Sequence, residues 1–72
     1  MIGEGMKVRF VPGFADSKTL TPEERRMYSV TGVVDSINWE HRHFCVEFGH
    51  EGTRQRETFL FGDIGTAVTI IG

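Results

Sequence analysis

Seventy-two residues make one domain, and eight Lys plus Arg against ten Asp plus Glu leave a net charge of −2. A chain this short buries only about 60% of the surface its unfolded form exposes, so the core is thin and its six Phe must supply much of it. The charge balance argues against a protein that coats nucleic acid through its phosphates; the single Cys excludes an internal disulfide framework; and no apolar run approaches the ~20 residues of a membrane span.

Met1 to Gly5, with two glycines, reads as a flexible lead with no charged-then-apolar signal segment. Met6 to Val11 then alternates, placing Met6, Val8 and Phe10 on one face and Lys7 and Arg9 on the other. This predicts a first strand, stopped at Pro12-Gly13. From Phe14 to Ser29 no strand pattern exists, and the segment reads as a long loop carrying a helical turn. Thr21-Pro22-Glu23-Glu24 is the start of that turn: Thr21 caps, Pro22 takes the first helical position, and Glu24 completes a capping box. So short a helix needs packing, for which Leu20, Met27 and Tyr28 are the candidates.

Thr31 to Phe48 carries most of the structural signal. Gly32, Val34 and Ile37 stand as G-x-V-x-x-I, one residue longer than strict alternation allows, which predicts a β-bulge near Asp35–Ser36. The next strand alternates cleanly, with Phe44, Val46 and Phe48 inward and His43, Cys45 and Glu47 outward. Asn38 to Arg42 is the polar turn between them, and residues 49–53 form a second turn. Arg54 to Phe61 is a fourth strand, polar first and apolar at its end; residues 62–65 break it, and residues 67–71 close the chain as a fifth. The expected core is Val8, Phe10, Val34, Ile37, Phe44, Val46, Phe48, Phe59, Ile64, Val68 and Ile70.

Five short strands, a long first loop and tight hairpins predict an all-β, five-stranded SH3-like barrel over residues 1–72. The spacing of Gly32, Val34 and Ile37 is similar to the KOW-type version of that fold. The combination TGVV-x-x-IN-x-x-HRHF-x-V-x-F, then RETF-x-F-x-DIG, resembles a group of small uncharacterised proteins from phages and mobile elements of Gram-positive bacteria. The likeness covers roughly residues 31 to 68. It implies an SH3-like fold and a phage or prophage setting, and it implies no chemistry.

No residues form a recognisable catalytic site, and no cofactor is called for. His41, His43 and Cys45, with Glu47 or His50, have donors that zinc accepts, yet alternate strand positions lie about 6.5–7 Å apart and need not converge. A nucleophilic Cys45 beside His43 would need a base, an oxyanion site and a pocket as well. A strand-three/strand-four ladder would place Arg56 near Glu47, or Glu57 near His43 and Arg42. On the functional reading, Trp39, His41, Arg42 and His43 join Arg54 and Arg56 as one basic, aromatic end of the sheet, with Tyr28 contributed by the long loop. Arg25 and Arg26 are offset by Glu23 and Glu24, as on a solvated helix face. Trp39 is either a lid folded over the barrel rim or an exposed anchor.

The expectation is a non-enzymatic, cytoplasmic module that docks on a protein partner through residues 39–43 and the start of strand four, with no membrane contact. A KOW-type nucleic-acid binder is the alternative, opposed by a sequence pI of about 5.8. A further alternative is an oligomer holding a nucleotide or similar anion between subunits, clamped by Arg42, Arg54 and Arg56.

Overall fold

The computed structural model describes residues 2–13 and 19–72. Met1, and Phe14 to Lys18 of the expected long loop, lie outside the described residues. Five antiparallel strands and one short α-helix follow in the order β1 (Lys7–Phe10), α1 (Pro22–Tyr28), β2 (Val30–Asn38), β3 (His43–His50), β4 (Thr53–Leu60) and β5 (Val68–Ile70). A 3-10 turn spans Phe61–Asp63 between β4 and β5. The strands make one sheet ordered β4-β3-β2-β1-β5, open between its two edges, β4 and β5.

The sheet is strongly curled. β1 and β4 stand three places apart, roughly 14 Å in a flat sheet. Yet Phe10 of β1 and Phe59 of β4 meet edge-on with ring centroids 5.1 Å apart, and Phe10 meets Phe48 of β3 at the same distance. The bulge predicted at Asp35–Ser36 is one source of this bend. Val34 pairs Val46 and Ser36 pairs Cys45, so two residues of β2 oppose one of β3. Gly32 is another. A Cβ there would lie 2.4 Å from Val46 Cγ1 and 2.9 Å from the Glu47 carbonyl oxygen, so only glycine admits this approach.

The concave side holds the core: Val8, Phe10, Val34, Phe44, Val46, Phe48, Phe59 and Val68 are buried, with Ile37, Ile64 and Ile70 packed against them. Ile2 joins them at 4% exposure, so residues 2–5 are not the flexible lead expected. Gly5 N–H donates to the Val34 carbonyl at 2.8 Å and holds that segment to β2.

Thr21 caps α1 as its sequence predicts. Its hydroxyl accepts from Glu24 N–H at 3.1 Å, and its own N–H donates to the Glu24 carboxylate at 3.1 Å. The bond from the Thr21 backbone, with a smaller contribution from its side chain, holds the Glu24 carboxyl below its ordinary range. The expected anchors differ. No residue of α1 is buried, and Met27 is 76% exposed.

The second hairpin turn is tighter than residues 49–53. Glu51 and Gly52, with φ of 50° and 79°, are its only two central residues, both in the left-handed region that a type I′ turn demands. Gly49 and His50 therefore continue β3. His50 pairs Thr53, and the whole β3–β4 register follows from that two-residue connection.

Candidate functional site

Asn38 and His43 pair at the end of the β2–β3 ladder and leave Trp39 to Arg42 as a four-residue tip. The Asn38 side-chain oxygen accepts from His41 N–H at 3.0 Å, which folds the chain back. Arg42 adopts φ 58°, a conformation that costs a non-glycine residue about 1 kcal/mol. Its carbonyl accepts from Phe61 N–H at 3.0 Å, tying the tip to the end of β4. Asp63 closes the same corner by accepting from Leu60 N–H at 2.9 Å.

The tip is aromatic and open to solvent. Trp39 stands edge-on to Phe61 with centroids 5.5 Å apart, yet 55% of it is exposed. It is thus braced by the rim without being enclosed by it. Leu60, opposite His43 in the register, is 59% exposed, and the His41 and His43 rings stack at 6.1 Å. Leu60 and Phe61 were not among the candidates. Their signal was the run Phe59-Leu60-Phe61, which breaks alternation and must expose at least one large apolar side chain.

Arg54 and Arg56 do not join this tip. Arg56 lies opposite Glu47 and Arg54 opposite Gly49, four and six residues along β3 from His43, roughly 13 and 20 Å away. Both are engaged with carboxylates: Arg54 with Glu47, and Arg56 with Asp35 at 2.8 Å and Glu47 at 3.9 Å. The Arg56–Glu47 neighbourhood agrees with the cross-strand expectation. Glu57 turns to the other face, where its carboxylate accepts from Gly13 N–H at 2.8 Å, so it meets neither His43 nor Arg42. Within one chain, Arg42, Arg54 and Arg56 cannot clamp one anion.

Tyr28 is also remote. It ends α1, just before Val30, whereas the tip follows Asn38 at the other end of β2. The Cys45 thiol lies 3.3 Å from the Thr58 hydroxyl of β4. Among the described residues no three His, Cys, Asp or Glu side chains converge as a metal site. No helix among them is long and apolar enough to cross a membrane.

Open grooves among the described residues lie away from the tip, two of them along β2 and β1. One, of ≈ 510 Å³, opens where β2 and β3 part company: their ladder stops at Val33–Glu47, while Val30 to Gly32 stay paired to β1 alone. Glu4, Asp35, Glu47 and Arg54 edge it, and the last three are already bound up in the ion pairs above. The other lies between α1 and the β1–β5 edge.

Comparison of the chain with family models, with curated proteins and with solved structures gives no match.

Proposed function

We propose that the chain is a non-enzymatic binding module of SH3-like architecture that docks on a protein partner through its hairpin tip. The observation that carries this reading is Trp39, more than half exposed and held in place by Phe61 beside exposed Leu60. A large ring presented rigidly loses little conformational entropy on binding, and Trp and Arg dominate binding hot spots. The surface is therefore Trp39, His41, Arg42 and His43 with Leu60 and Phe61. The start of strand four, with Arg54 and Arg56, drops out of it. The partner has an apolar pocket for the indole and a carboxylate for Arg42.

The SH3-like reading is supported by the curl that brings Phe10 onto Phe59, by the bulge in β2, and by the strand order. A phage or mobile-element origin, with a host factor as partner, rests on the resemblance of residues 31 to 68.

The test pairs Trp39→Ala with Arg42→Gly. Glycine suits the left-handed backbone at position 42, so the guanidinium is removed without added strain. The doubly substituted protein stays folded by circular dichroism. Its affinity for the partner captured by the wild type falls roughly thirtyfold, about 2 kcal/mol, in calorimetric titration. A partner bound equally well by both proteins, or tryptophan emission that acrylamide fails to quench in the free wild type, would overturn the reading.

A further inference from the structure

Apart from Arg42 on the tip, the arginines divide into two sets. On the β3–β4 side, Arg54 and Arg56 are matched by Glu47 and Asp35. On the β1 side, Arg9 and Arg26 make no ion pair among the described residues, and neither does Lys7. Lys7 and Arg9 share the convex face of β1, about 6.5–7 Å apart. The strand neighbours of Arg9 are Thr31 and Thr69, both uncharged. Beyond the end of β1 the row continues onto α1. Arg25, Arg26 and Ser29 fall at helical spacing on one side of that helix, and with Arg9 and Thr69 they line a shallow groove of ≈ 210 Å³.

Among the described residues no carboxylate lines that groove; Glu57 lines the adjoining one, which shares Arg25 with it, and Glu23 and Glu24 precede the two arginines in sequence. The Glu24 carboxylate is turned back onto Thr21 N–H. That carboxylate is thus held at the helix cap. The Ser29 and Thr66 hydroxyls already donate to the Arg26 and Asp63 carbonyls, so anion recognition here falls to the guanidinium groups. Guanidinium forks match phosphate oxygens in a bidentate way.

We propose that the groove between α1 and the β1–β5 edge binds phosphate groups of a nucleic-acid strand, with Arg9 and Arg26 as the principal contacts and Lys7 and Arg25 beside them. A row of cations reaching from Lys7 to Arg26 is longer than a single free phosphate can use. A run of phosphodiesters uses all of it. An overall charge of −2 then restricts contact to this side of the molecule. The surface shares no residue with the hairpin tip, so it stands or falls independently of protein docking.

The test measures fluorescence anisotropy of a labelled 12-nucleotide single strand, with sodium pyrophosphate as the competing small anion. Four phosphate contacts on a single strand, one for each cation, give a logarithmic salt slope of about −2.8, so affinity falls roughly fiftyfold between 50 and 200 mM salt. Arg9→Gln with Arg26→Gln leaves two such contacts, and the same change in salt then costs only about sevenfold. Arg26→Gln alone, on an exposed helix, repeats the measurement without touching the sheet, and Trp39→Ala leaves binding unchanged. Three results would each overturn the proposal: no binding at 50 mM salt, a salt slope untouched by the arginine substitutions, or pyrophosphate competing as well as unlabelled strand at equal phosphate concentration.

Discussion

Gly32→Ala tests the curl of the sheet with a single methyl group. The added Cβ would lie 2.4 Å from Val46 Cγ1, 2.9 Å from the Glu47 carbonyl oxygen and 3.1 Å from Phe10 Cε1. Val46 is fully buried and Phe10 nearly so, and the Glu47 oxygen belongs to the backbone, so no neighbour can simply swing aside. Overpacking of this kind costs about 1–3 kcal/mol, and rigid surroundings favour the upper half of that range. The loss of glycine's freedom in the unfolded chain returns about 0.4–1 kcal/mol. A net destabilisation of about 2 kcal/mol remains, in a domain whose whole stability is roughly 4–11 kcal/mol. Thermal unfolding followed by circular dichroism should then show Tm lower by about 8–16 °C. Val46→Ala removes the nearest methyl, so in that background the Gly32→Ala penalty should shrink, a coupling of about 0.5–3 kcal/mol. A Tm drop smaller than about 4 °C for Gly32→Ala alone would mean that β2 and β3 are not pressed together there.

Phe44→Ala removes a fully buried ring that touches both Phe59 and Phe61, and should cost about 3–5 kcal/mol, enough to leave much of the protein unfolded in a denaturant titration. Wild-type stability in that variant would show the β3 faces to be reversed. Glu24 titrates below its ordinary 4.5 in the folded chain, so its contribution to the helix cap is complete above that value and is lost as pH falls through the lowered one. A carbon-detected NMR titration should find its midpoint raised in Thr21→Ala, yet still below the ordinary value, because the larger contribution comes from the Thr21 backbone. A midpoint of 4.5 in the wild type would contradict the capping box.

Much of this architecture is legible because single residues leave little choice. The three-residue step from Val34 to Ile37 has no place in a regular strand, and the bulge is where it says. The capping box is equally local. Ile2 was hidden because glycines on either side of Glu4 resemble a tether, whereas the segment is held by Gly5 N–H and by burial that only the fold supplies. The candidate site was misjudged through register. Once Glu51-Gly52 is taken as a two-residue turn, paired residue numbers across β3 and β4 sum to a constant, as His50 with Thr53 and Glu47 with Arg56 do. Placing Arg56 beside Glu47 therefore already removes both strand-four arginines from the tip. Leu60 and Phe61 take their place. The division of charge was out of reach, because it depends on which carboxylates curl back towards which cations.

The ion pairs on the convex face belong to the fold rather than to either surface. Asp35 is the extra residue of the bulge, and it reaches across β3 to Arg56 of β4 while Glu47 of β3 lies between them. One inserted residue thus bends β2 and also aims a carboxylate that links three strands. Exposed pairs of this kind contribute only about 0.2–1 kcal/mol each, and their larger effect is to neutralise the β4 arginines. Among the described residues that leaves cations without an ion pair at Arg42 on the tip and along Lys7, Arg9 and Arg26 beside α1, towards opposite ends of β2. Sites so separated and sharing no contacts respond to substitution independently. The two groups of side chains are kept apart because they lie towards the two ends of one nine-residue strand, β2.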